Sequence, residues 1–442
     1  MTIQLSDHFT YRRLIRFIFP SVIMMIFTSI YGVVDGVFVS NFVGETPFAA
    51  VNLIMPFCML LGSLGFMIGT GGSALVSKYL GEGREEKANK VFSMLIYFSV
   101  IVGAVISILG FVFVEPVAIL LGAEGDMIGY CATYGRYLFI GIVPFVLQNE
   151  FQSFLIVAEK PHIGLGVTIA AGLTNIVLDA VFVAGFMWGL EGAALATVIS
   201  QFVGCVIPFA YFFLSKKSPI RLGKPCFSIK DLGKTCANGS SEMMTNISMS
   251  FVNILYNFQL MKFAGESGVA AYGVIMYTNF IFIAVFIGYS IGVAPIISYH
   301  YGAQNHDELK NLRKKSLVFM AISSLVLTGV AELLAVPLSR IFVSYNKDLF
   351  DMTVRAFMIY SLSFLLSGFN IFGSGFFTAL NNGIVSALIS FLRTLLFQVI
   401  TVLVLPIFWG LDGVWVSIVF AELFAAAVTA FFMVKMQKKY NY

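Results

Sequence analysis

The chain has 442 residues, 59% hydrophobic and only 11% charged, with a net charge of +4 and a mean hydropathy of +0.90. A soluble domain averages about 25% charged residues, so this surplus of apolar surface excludes a soluble core and calls for lipid as solvent. The apolar runs are about 20 residues long, the length of a spanning helix rather than the roughly 10 of a barrel strand.

In chain order, the first apolar run follows Arg12, Arg13 and Arg16. It is too long for a signal-peptide core and no small-residue cleavage site follows it, so it is expected to remain as a span. Spans are predicted near 14–40, 51–76, 91–113, 131–158, 163–186, 192–214, 242–263, 271–297, 317–338, 354–380, 384–406 and 413–434. The longest connection carries Pro219, Pro225 and six basic residues. The expected domains are an amino-terminal six-helix lobe (1–214), a linker (215–241) and a carboxy-terminal six-helix lobe (242–442).

Lys262, Arg340 and Lys347 are the basic residues of one set of loops, whereas the termini and the alternate loops hold 21, among them Lys78, Arg84, Lys216, Lys217 and Lys439. The positive-inside rule then places both termini in the cytoplasm of a multi-pass plasma-membrane protein. Cys58, Cys131, Cys205, Cys226 and Cys236 show no CxxC spacing and read as packing residues.

The halves match at a fixed offset of 221 residues. Gly44-Glu45 meets Gly265-Glu266, Gly71 meets Gly292, Gly81 meets Gly302, Pro116 meets Pro337 and Asn149 meets Asn370. The least accidental pair is Trp188-Gly-Leu-Glu-Gly192 with Trp409-Gly-Leu-Asp-Gly413. A gapless register of this length signals an internal repeat. Six spans per half bring both halves in from the same side, which predicts an all-α membrane protein: two six-helix bundles about a pseudo-two-fold axis along the membrane normal.

The repeat fails at the ionisable residues. Asp35 stands opposite Tyr256, Glu150 opposite Ile371, Asp179 opposite Ile400, Arg393 opposite Gly172 and Glu422 opposite Gln201. An Asp at a helix centre costs roughly 3 kcal/mol on insertion scales, so an intramembrane Asp marks an ion pathway or a tie between helices. Tyr31 and Asp35 share one helix face, as do Asn175 and Asp179, and Thr197 and Gln201. Asp35, Asp179, Asn175, Thr197 and Tyr31 together offer the oxygens of a proton or hard-cation site. It would lie in the half of the membrane away from the termini. Glu150, with Gln148, Asn149, Phe151 and Phe154, is the candidate contact for a cationic substrate, or else a structural pair with a neighbouring helix. Arg393 requires a counter-charge, for which Glu422 and Glu332 are the candidates.

No HExxH, P-loop or Asp-rich magnesium motif occurs, and His8, His162, His300 and His306 all lie in tails or loops. An enzyme is not expected, nor a cofactor beyond a coupling ion, nor a nucleic-acid partner.

The twelve spans, the segment Tyr31-Gly-Val-Val-Asp-Gly-Val-Phe-Val39, Asn175-x-x-x-Asp179 and Gly192-Ala-Ala-Leu-Ala-Thr197 together resemble the multidrug and toxic compound extrusion family. The likeness is to its bacterial branch with acids concentrated in the amino-terminal lobe. It implies export of cationic or amphipathic organic compounds in exchange for H⁺ or Na⁺, by a monomer in contact with membrane lipids. It also implies that Asp35, Asn175, Asp179 and Thr197 form the coupling site and are the candidate Na⁺ ligands. A flippase for lipid-linked saccharides shares the broader fold; that reading would need a basic cavity, with Arg136, Arg355 and Arg393 as its candidates.

Overall fold

The computed structural model describes residues 3–43, 45–215, 218–344 and 346–442. Gly44 of the repeat and Lys216 and Lys217 of the basic loop lie outside the described residues. Most of the rest is helical, with no strand among the described residues.

Twelve spans follow in order. The first six are Tyr11–Phe42, Glu45–Gly81, Glu85–Leu120, a bent pair Asp126–Ile140 and Ile142–Val157, Pro161–Gly185, and Gly189–Leu214. One long helix, Ile229–Gly302, breaks at Gly265 and so supplies the seventh and eighth. The ninth is His306–Val343, and the tenth is the bent pair Lys347–Ser361 and Phe364–Ala379. The stretch Gly383–Lys435 breaks at Gly410 into the eleventh and twelfth. Each predicted span falls on one of these, and the helices overrun the apolar windows because they continue into the polar margins. The third span starts on Glu85 and Glu86, acids that suit a helix N-terminus. Ser228, Asn305, Asn346 and Asn382 each accept a backbone N–H three residues on and so start four helices of the second half.

The repeat is visible in the backbone. Gly189 and Gly410, partners at the 221-residue offset, have φ of 59° and 55°. The conformation at Gly410 (ψ −131°) is one that only glycine enters readily, so the recurrence of the Trp-Gly pair in both halves has a steric cause. Gly83 and its partner Gln304 share positive φ as well. The fourth and tenth spans bend at matching points, by 52° beside Gly141 and by 45° between Ser361 and Phe364.

The two halves touch through glycines. A Cβ on Gly71 would strike the Thr235 carbonyl, one on Gly239 the Met67 carbonyl, one on Gly81 the Tyr299 carbonyl and one on Gly302 the Lys78 carbonyl. Ser21 and Val22 of the first span lie against Gly288 of the eighth. All of these sit in the half of the bundle that carries the termini. Small residues permit such approach where lipid supplies no hydrophobic drive. Both termini pack there too: the Phe9 carbonyl accepts from Lys315, and Arg313 lies over the Tyr442 ring.

Candidate functional site

The first and fifth spans pack side by side. At their contact Gly172 has no side chain; a Cβ there would lie 2.5 Å from Phe27 and 3.1 Å from Tyr31, so the glycine admits both rings. One turn beyond Tyr31, Asp35 points at Asn175 and Asp179. Asn175 and Asp179 are buried, at 2% and 0% exposure, while Asp35 is half-buried. Despite this proximity, Asp35 Oδ1, both carboxylate oxygens of Asp179 and both amide atoms of Asn175 are buried without a hydrogen-bond partner among the described residues. Five unsatisfied polar atoms in one place are far outside the norm for a folded interior.

Immediately after Asp179 the fifth span widens into a π-turn, Ala180–Gly185. Such turns recur at functional sites because the extra residue re-aims neighbouring side chains. Tyr134 of the fourth span, 1% exposed, lies within electrostatic reach of both Asp35 and Asp179. The sequence reading missed it, since a single Tyr in an apolar span carries no pattern. Thr197 stands on the neighbouring sixth span with its hydroxyl donating to the Ala193 carbonyl at 3.1 Å. Its proton is thus turned to its own helix, leaving oxygen lone pairs for a cation.

The inner-half group lies elsewhere. Glu150 is fully buried, its Cα against Gly69, with Ser99 and Cys205 nearby and both carboxylate oxygens unpartnered among the described residues. Gln148 packs on Gly204, and Asn149 donates to the Phe145 carbonyl at 2.8 Å. Phe151 and Phe154 are 0% exposed, and they build the lobe's aromatic core with Phe92 and Phe212. In this conformation the two rings serve packing and present no open face, and none of these five residues joins the Asp35–Asp179 group.

In the other lobe the same region is neutralised internally. Tyr256, opposite Asp35 in the repeat, bonds Ser417 at 2.8 Å. Arg393 pairs with Glu422 at 2.9 Å, and Asn370 also donates to Glu422. Glu332, the other candidate counter-charge, instead accepts from Ser361. Arg136 pairs with Glu115 and Arg355 with Asp412, so the three arginines form three separate ion pairs and no common basic cavity.

A twelve-helix membrane protein of two repeated bundles, with an acid pair buried in one of them, defines the class. The MatE family model matches residues 20–181 and again 243–404, once in each half. The chain belongs to the MatE family, whose members are transporters rather than enzymes. It is 24% identical over 417 residues to the multidrug export protein MepA of Staphylococcus aureus (strain MSSA476), covering 93% of this chain and 91% of that one. It is 26% identical over 422 residues to MepA of Staphylococcus saprophyticus, covering 94% and 92%. Among solved structures, an outward-facing multidrug resistance MATE family transporter superposes with a TM-score of 0.93 at 23% identity over 98% of this chain and 97% of that one. A MATE structure in a straight conformation gives 0.93 at 22% identity over 98% of both chains. One in a bent conformation gives 0.89 at 23% over 99% and 98%. These likenesses establish the shared fold.

Proposed function

We propose that this protein is a secondary active exporter of cationic or amphipathic organic compounds, driven by inward H⁺ or Na⁺ and working by alternating access. The lobes 1–214 and 242–442, joined by 215–241, are the moving bodies. The protein works as a monomer in the plasma membrane with both termini cytoplasmic, an orientation that the bias of basic loops supports.

One observation carries the reading: half-buried Asp35 faces buried Asp179, with Asp35 Oδ1 and both Asp179 oxygens short of a hydrogen-bond partner among the described residues, in a lobe whose repeat has no acid at either position. Two carboxylates at close range in a medium of low dielectric repel strongly, and a single positive charge between them relieves this. A proton needs only one carboxylate oxygen, whereas Na⁺ would take oxygens of Asp35, Asp179, Asn175 and Thr197. Binding of either removes negative charge from the amino-terminal lobe and releases a bound organic cation. Each charge moved inward carries about 2.3 kcal/mol per 100 mV of membrane potential, enough to bias a switch of this kind. Glu150, equally orphaned, is the acid that would meet the organic cation on the inner half.

The glycine contacts at the end bearing the termini fit a conformation closed on the cytoplasmic side and open outward. The separate pairing of Arg136, Arg355 and Arg393 means that these three do not build a common basic site for an anionic saccharide lipid, which favours a cationic cargo. The test is efflux of a lipophilic cation from proteoliposomes under a pH gradient and, separately, a Na⁺ gradient. Efflux driven by either gradient supports the reading and names the ion; efflux indifferent to both overturns it.

A further inference from the structure

The end of the bundle that carries the termini holds a cavity remote from the acid pair. Its volume is about 630 Å³, and its walls come from both lobes: Lys78, Glu82 and Arg84 from one, Gln304, His306 and Lys439 from the other. Three cations thus line the cavity beside one carboxylate. Glu82 is shared between Arg84, at 3.1 Å, and Lys78, at 3.9 Å, while Lys439 has no acidic partner among the described residues. Two tyrosines hold the lysines in place. Lys78 Nζ lies 5.2 Å from the centre of the Tyr301 ring, Lys439 Nζ lies 5.2 Å from that of Tyr440, and the two rings meet edge to face at 5.6 Å. His306 Nδ1 is buried there without a hydrogen-bond partner among the described residues.

The electrostatics point the same way. Lys78, Arg84 and Lys439 line one cavity with a single carboxylate, Glu82, among its walls. An anion bound among these groups would relieve their repulsion. A guanidinium fork, ammonium groups and an imidazole suit the several acceptor oxygens of a phosphoryl group better than the two of a carboxylate. Basic pockets between spans on the cytoplasmic side are also where anionic lipid headgroups are held.

We propose that this cavity binds a phosphoryl anion that clamps the two lobes together in the conformation closed at the terminus end. Beside it lie two of the tightest approaches between the lobes, Gly302 on the Lys78 carbonyl and Gly81 on the Tyr299 carbonyl. A ligand that touches Arg84 and Lys439 at once is held only while these surfaces stay in contact, so it favours that state by its difference in affinity.

The full-length protein in phosphatidylcholine nanodiscs is titrated with inorganic phosphate against chloride at constant ionic strength. A second set of discs contains phosphatidylglycerol, and the unfolding midpoint is read in each. The proposal predicts an upward shift of Tm in at least one arm, abolished by combining Arg84→Gln with Lys439→Gln. A response to inorganic phosphate assigns a soluble ligand; a response to phosphatidylglycerol alone assigns a lipid headgroup. Should the double variant fold poorly, Glu82→Gln serves instead: removing the one acid should lower the half-saturating concentration severalfold. Absence of a shift in both arms, a shift that survives the double variant, or an unchanged half-saturation in Glu82→Gln overturns the proposal.

Discussion

Arg393 Nε lies 2.9 Å from Glu422 Oε1, and a second nitrogen of the same guanidinium reaches that oxygen at 2.9 Å. The pair closes inside the carboxy-terminal lobe, where the amino-terminal lobe has Gly172 and Gln201. Asn370 donates to the same carboxylate at 2.6 Å, so the charge is answered within the lobe. By contrast, Asp35 Oδ1 and both carboxylate oxygens of Asp179 find no such partner among the described residues.

Breaking that pair should therefore damage the fold more than the transport chemistry. Arg393→Met leaves Glu422 charged and buried, at a cost of about 3–5 kcal/mol. Adding Glu422→Leu should recover most of the loss, since replacing both partners by apolar groups is often close to neutral. Chemical unfolding in detergent micelles checks both. Equal stability of the single and double variants would show that the pair is not coupled in this way.

The glycine seam predicts a conformational effect. Gly239→Val places side-chain atoms against the Met67 carbonyl, and overpacking of this kind costs about 1–3 kcal/mol. The cost falls on the conformation closed at the terminus end, so the variant should populate the opposite one. Spin labels on the two lobes would report a longer distance at the terminus end, with little change in helix content.

The amino-terminal tail predicts a pH response of known sign. Phe9 N–H donates to Glu308 at 2.9 Å, His8 Nδ1 lies 2.6 Å from the same carboxylate, and Leu5 N–H donates to Glu159 at 2.8 Å. Burial alone would raise the Glu308 carboxyl, but bonds from Phe9, Asn311 and His8 outweigh it and hold the group below its ordinary 4.5. A depressed carboxyl contributes stability that is present above the unfolded value and lost as pH falls through the folded one. Hydrogen exchange over residues 5–10 should stay slow from neutral pH down to the glutamate range and accelerate only below it. Glu308→Gln should accelerate it at neutral pH and converge with the unaltered protein below the glutamate range.

How much of this was legible in advance differs by element. The spans and the repeat were, because run length and helical periodicity are local properties of the chain. Asp35 and Asp179 stood out for the same reason, as charges in uncharged helices. The need of Arg393 for a counter-charge was also readable, but the choice of Glu422 over Glu332 depends on which helices touch. Residues 229–241, read as part of a linker, form the first turns of the seventh span; a hydropathy window cannot see a helix outside lipid. The tail was missed because Leu5 and Phe9 are too few to make a period, although both are almost fully buried. Tyr134 was missed because its role comes from proximity alone.

A substitution at Glu150 tests whether substrate recognition can be separated from the proposed coupling. With both oxygens unpartnered inside the lobe, Glu150→Gln keeps the shape and removes the charge, which tests the proposed role in meeting an organic cation. Weaker transport of organic cations with ion-driven transport of a neutral amphiphile retained is the expected result. Equal loss for both cargoes would make the residue structural.

The central claim is that Asp35 and Asp179 couple ion entry to export. Its most direct test is gradient-driven efflux of a lipophilic cation from proteoliposomes carrying Asp35→Asn or Asp179→Asn, compared at equal protein incorporation. The account predicts that each substitution abolishes or severely reduces the gradient-driven component, with Asp35→Asn the more severe. Full ion-driven efflux in both variants would contradict it.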